Sequence, residues 1–246
     1  GGKIDVISGT FLGNYASNYT SSYAGAGVGA IYNGGSINNI SGIFISNYAY
    51  SLDGRAMGGA IYNDAYIQNA YIQKIAGNFI SNYTFSRQTS SGGAIANFAI
   101  IDSINASFIG NSATSNFAAF GGAIYNEGTI GNKDESGNLV DGIINSSFIN
   151  NFARVDNYTA NGGAIYTKAD LNIIADNGYS VFSGNYVYDK NGRRPEAIYV
   201  SSKSNTLKLE SKNNGIIHFD DQINGAQGYS LTLAGDSSGL IELNNN

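Results

Sequence analysis

The chain contains no cysteine, which excludes disulfides, thiolate zinc sites and cysteine nucleophiles together. It has a single proline, Pro195, so collagen and proline-rich linkers are excluded, and a single histidine, His218. Charged residues make up only 13%, about half the usual share, and the balance is acidic, with a net charge of −5. That balance offers no electrostatic case for nucleic acid or an anionic membrane as the partner. No run approaches the length of about 18 apolar residues that reads as a membrane-spanning helix. Any targeting segment is expected to lie outside this span.

Glycine is plentiful, with 33 in 246 residues, and it recurs in a phrase. Gly58-Gly59-Ala60-Ile61-Tyr62-Asn63 returns as Gly121-Gly122-Ala123-Ile124-Tyr125-Asn126, with looser copies beginning at Val28, Gly92, Gly162 and Glu196. A second phrase, Phe-x-x-Asn, begins at Phe11, Phe44, Phe79, Phe108, Phe148 and Phe182. Such self-similarity marks a repeat protein in which each unit buries its apolar side against its neighbours.

Each unit divides into short Ile-, Tyr- and Phe-rich segments bounded by Gly and Asn, which are strand signals. No 3.6-residue period is sustained, which argues against helix. Three strands and a variable loop per turn predict an all-β, right-handed parallel β-helix of about six motif-bearing coils over residues 1–200. A C-terminal β continuation over residues 201–246 keeps strand alternation without the paired motif. Stacking predicts an aromatic column at the six Phe positions and an aliphatic one at Ile31, Ile61, Ile95, Ile124, Ile165 and Ile198. An Asn column is expected at Asn14, Asn47, Asn82, Asn111, Asn151 and Asn185, at a turn where Asn tolerates left-handed backbone. Residues 1–11 align with residues 34–44 at an offset of 33, so the chain is expected to begin inside a coil and to be a piece of something longer. The doubled Ala65-Tyr66-Ile67-Gln68 and Ala70-Tyr71-Ile72-Gln73, and the polar run between Gly131 and Asn138, are expected to bulge outward.

The paired phrases resemble the repeats of the polymorphic outer membrane proteins of chlamydiae, which are autotransporter passengers, and the adhesin-like repeats of other bacterial and methanogen surface proteins. The likeness covers residues 1 to about 200, with Pro195-Glu196 standing in place of Gly-Gly in the sixth unit. It implies a noncatalytic, cell-surface or outer-membrane-displayed β-helix used for adhesion or as a stalk. The alternatives are a structural subunit of an extracellular fibre, assembled end to end, and a carbohydrate-active β-helix enzyme.

The enzyme alternative has little in the residues to support it. Glycoside hydrolysis needs two converging carboxylates, whereas Asp5, Asp53, Asp64 and Asp102 are scattered. Within Asp134-Glu135 and Asp220-Asp221, neighbouring strand residues point to opposite faces. His218 is expected to face solvent with no carboxylate to orient it. No catalytic residue, metal site or cofactor is expected. The segments between Phe-x-x-Asn and the next Gly-Gly are rich in Tyr and Arg, the residue types enriched at binding hot spots. Read as loops stacked into one ridge, they place Tyr50, Arg55, Tyr83, Arg87, Arg154, Tyr158, Tyr188 and Arg193 as candidate binding residues, with a surface protein or glycan receptor as the partner. Tyr15, Tyr19, Tyr23, Tyr48, Phe85, Phe117, Phe120, Tyr186 and Arg194 flank them, and residues 83–91 are expected to be replaceable by a flexible linker.

Overall fold

The computed structural model describes residues 2–19, 27–65 and 70–244. Tyr23 and the Tyr66-Ile67-Gln68 stretch of the doubled segment lie outside the described residues. The second copy is no bulge: it opens a coil strand, Tyr71–Ile80.

The chain is an all-β parallel solenoid of about six turns, and its sheets run along the axis. Sheet A carries the ten-residue strands Lys3–Leu12, Ser36–Ile45, Tyr71–Ile80 and Ile100–Ile109. Each fuses two of the segments expected as separate strands. In later coils sheet A splits into pairs such as Leu171–Asp176 with Tyr179–Ser183 and Thr206–Lys212 with Ile216–Phe219. Sheet D stacks the Ile-Tyr-Asn segments, from Ile31–Asn33 to Ile223–Gly225.

Between them lies the main correction to the sequence reading, because the Tyr- and Arg-rich segments are not loops. They form two further sheets. Sheet B includes Tyr15–Asn18, Tyr48–Ser51, Tyr83–Ser86, Ser112–Ser115, Phe152–Val155 and Tyr186–Asp189, and sheet C comprises Arg55–Met57, Thr89–Ser91, Ala118–Phe120 and Thr159–Asn161. The two sheets share a thin core of Ala113, Ala119, Ala153, Val155, Ala160 and Val187, small residues that let them pack closely. Replacing residues 83–91 with a linker would therefore remove two strands that bury Thr84, Ser86 and Ser90.

The main core follows the expected columns. Phe11, Phe44, Phe79, Phe108, Phe148 and Phe182 stack with centroids 4.6–4.9 Å apart and planes within 11° of parallel. This spacing is that of parallel strands one coil apart, about 4.8 Å. Phe219 extends the column by one ring, 4.2 Å from Phe182, although no complete motif surrounds it. The Ile column likewise runs from Ile31 to Ile198 and continues to Ile223. At the first coil, Gly9 pairs with Gly42 and Phe11 with Phe44, the offset of 33 seen in the sequence.

Beside the Phe column the Asn ladder closes coil upon coil. The Nδ2 of Asn82 donates to Asn111 Oδ1 at 3.0 Å and to the Phe44 carbonyl at 2.9 Å, and the Asn82 backbone N–H donates to the same Oδ1 at 3.0 Å. Left-handed backbone falls on the residue before each Asn, at Ser46, Ser81 and Asn150, rather than on the Asn itself. Asp221 ends the ladder, accepting from Asn185 N and Nδ2 at 2.8 Å each. A second ladder, unforeseen in the sequence, links Asn33, Asn63, Asn97 and Asn126 at 2.8 Å per step.

Candidate functional site

The solvent side of sheet B is built by strict alternation. In Tyr48-Ala49-Tyr50-Ser51 and Tyr83-Thr84-Phe85-Ser86 the small residues are buried and the aromatics half-exposed. This period of two in Tyr-Ala-Tyr-Ser, Phe-Ala-Arg-Val and Tyr-Val-Tyr-Asp was the sequence signal for strands. Parallel register then stacks the outward residues into two rows. Tyr15, Tyr48 and Tyr83 lie 5.1 and 4.8 Å apart, and Tyr50 and Phe85 lie beside them at 5.4 Å; Tyr19, just past the Tyr15–Asn18 strand, lies 5.1 Å from Tyr50, whose register partner is Ser17. Ser112 and Thr114 interrupt the rows at the fourth coil, after which Phe152 stacks on Tyr186 at 5.2 Å. Guanidinium groups cap this second stretch: Arg154 lies 5.1 Å over Tyr188 and Arg193 lies 4.1 Å over Tyr186. Such contacts hold a cation over a ring face while leaving its edge open to a partner.

The structure thus brings together Tyr50, Tyr83, Arg154, Tyr188 and Arg193 on one face. Tyr158 and Arg87 sit instead at the turns joining sheets B and C, where Tyr158 stacks on Phe117 at 4.2 Å. Arg55 starts a sheet C strand and its charge acts on Tyr62 and Tyr125 of sheet D, so it does not join the others. Phe120 also turns that way, 4.6 Å from Tyr166. Arg194 is held by Asp189 at 2.8 Å, in the Gly192–Pro195 strand that folds back antiparallel on Tyr186–Asp189.

Asp134, Asp220 and Asp221 have local partners. Asp134 Oδ1 accepts the backbone N–H groups of Ser136 and Asn138, at 2.9 Å each. Asp220 and Asp221, on a bend just past the Ile216–Phe219 strand, point apart, the first toward Ser183 and His218 and the second toward Asn185. Among the described residues no group of three or more His, Asp or Glu is arranged to hold a metal ion.

His218 departs from expectation. Its Nδ1 lies 2.7 Å from Glu242 and its Nε2 lies 2.9 Å from Asp220, so two carboxylates orient it. Glu242 is distant in sequence and arrives only because Leu240–Leu243 pairs in register with Ile216–Phe219. The Glu242 hydrogen bond, reinforced by Asp220, pushes the imidazole above its ordinary value. A raised histidine contributes stability that is fully present below about pH 6.5 and lost as pH rises through the higher folded value. The thermal midpoint of the terminal coil should accordingly fall as the medium turns alkaline, and His218→Gln should flatten that dependence. An equal slope in the variant would show that the bridge contributes nothing.

Comparison with known proteins bears on the repeat itself. Residues 145–168 match the family model of the Chlamydia polymorphic membrane protein repeat. That segment holds one Phe-x-x-Asn, from Phe148 to Asn151, and the following Gly162-Gly163-Ala164-Ile165-Tyr166. The repeat and the solenoid together fit a β-helix like the passenger of a polymorphic outer membrane protein. No curated protein matches the chain. No solved structure does either.

Proposed function

We propose that the chain is a noncatalytic, surface-displayed β-helix that attaches to a protein or glycan receptor through the solvent side of sheet B. The observation that carries this reading is the pair of stacked aromatic rows on one face, interrupted at Ser112 and Thr114 and followed by Arg154 over Tyr188 and Arg193 over Tyr186. Rigid aromatic and arginine side chains supply contact area at low entropic cost, which is why they dominate binding hot spots. The repeat match supports surface display, since it is to a repeat of membrane proteins.

The test uses Tyr50→Ser, Phe85→Ser and Tyr188→Ser combined in the whole chain. All three side chains point away from the coil, so far-UV circular dichroism should be unchanged while attachment to receptor-bearing cells or glycan-coated surfaces is lost. Undiminished attachment would remove sheet B from the reading. Release of reducing ends or unsaturated sugars from a polysaccharide would remove the noncatalytic part of it.

A further inference from the structure

We propose that the groove between the 131–142 insertion and the solvent side of sheet A binds a neutral oligosaccharide. This site is separate from the aromatic face and does not rest on it.

The insertion is not needed by the coil. Ile130 pairs with Leu171 and Ile143 with Ile173, so the neighbouring strand spans with Asn172 alone the place where twelve residues, 131–142, are inserted. Yet the insertion is built rather than slack. Lys133 bridges Leu139 in antiparallel fashion, Asn132 Nδ2 donates to Asp141 at 2.8 Å, the Val140 N–H donates to the Asn132 carbonyl at 2.9 Å, and Asp134 locks the tip. It stands as a wall beside a groove of about 610 Å³, within the size range of small-molecule sites.

Asn172 forms part of the groove lining and is only 1% exposed. Its Nδ2 donates to the Leu139 carbonyl at 3.0 Å, fastening the wall to the sheet, and its Oδ1 has no partner among the described residues. A buried carbonyl oxygen left unpaired is costly, and a ligand hydroxyl or N–H would satisfy it. The charged groups of the groove have partners of their own. Lys208 lies 2.9 Å from Glu210, Lys212 lies 3.7 Å from Asp176, and Asp170 accepts the Thr206 N–H at 2.8 Å. Asp134, Asp170 and Glu210 against Lys208 and Lys212 leave the lining one negative charge in excess, which disfavours an anionic ligand. Val140, 46% exposed, offers an apolar ledge to the C–H face of a sugar.

Register sets the length scale. Asn172 pairs with Lys208 and Lys208 with Thr232, which places polar groups about one coil rise, 4.8 Å, apart along the groove. An extended pyranose chain repeats at a similar interval, so successive residues would meet equivalent polar groups. A peptide adding as a strand is excluded by the pairing beneath, because Leu171–Asp176 and Thr206–Lys212 already have neighbours on both sides.

The experiment is an amide NMR titration of the whole chain with cellotetraose, chitotetraose and tetragalacturonate at millimolar concentration. Saturable shifts confined to residues 132–141, 170–172 and 206–212 are expected with a neutral tetrasaccharide. Asn172→Ala would also release the wall, so the variants are Lys208→Ala and Val140→Asp, at groove-lining positions away from the coil core. Each should weaken binding roughly tenfold while leaving the spectrum elsewhere intact, and Tyr188→Ser on sheet B should leave binding unchanged. The proposal is overturned by binding of tetragalacturonate alone, by shifts that map to sheet B, or by no shift with any of the three sugars.

Discussion

Replacing Phe108 with alanine is expected to destabilise the chain by about 3 to 5 kcal/mol. Phe108 is fully buried and stacks on Phe79 at 4.9 Å and on Phe148 at 4.7 Å, so the substitution opens a cavity in mid-column. The coils above and below are fixed in register by sheets B, C and D and cannot collapse into it, which puts the cost toward the upper end of that range. Arg87→Ala, at an exposed turn, should cost less than about 0.5 kcal/mol. Denaturant midpoints read both, and equal effects would contradict the assignment of inside and outside.

Gly122→Ala should be comparably severe, on the order of 3 kcal/mol, although it adds one methyl group. A Cβ at Gly122 would lie 2.1 Å from the Gly163 carbonyl oxygen and 2.5 Å from the backbone N and O of Phe152. Backbone blocks it on these sides and no rotamer relieves the clash. Its neighbour Gly121 has a different reason to be glycine, with φ at +64° in the left-handed region. The Gly-Gly pair thus combines a turn with a close approach of coils. Gly27→Ala, where a Cβ meets nothing within 4 Å, should stay within about 0.5 kcal/mol of the parent. A Gly122→Ala chain that melts with the parent would show that the coils can spread at this corner.

Where the sixth unit lacks the pair, Glu196 shows what replaces it. Its Oε1 accepts the Gly162 N–H at 2.6 Å and its Oε2 accepts from Asn224 at 2.8 Å. Burial pushes this carboxyl above its usual range even so. The corresponding strand, Gly192–Pro195, has left sheet C for sheet B, and the carboxylate serves the N–H that the missing strand would have met.

What the residues determined by themselves is the repeating part. Phe-x-x-Asn and Gly-Gly-Ala-Ile recur in order, so identical side chains must meet one coil apart, and the Phe, Ile and Asn columns follow from that periodicity. The period-two alternation of Tyr48 to Ser51 is equally present, but these segments differ in sequence from coil to coil, the pattern expected of variable loops. Tertiary structure decided their fate. A four-residue strand of Tyr, Ala and Ser depends on pairing with the neighbouring coil and on a second sheet to cover its small residues, and neither is visible in one unit. The same reason hides the His218 and Glu242 bridge, the separation of Arg55 from Tyr50, and Asn172 beneath the insertion. Each joins residues with no shared motif, and only the register of stacked coils brings them together.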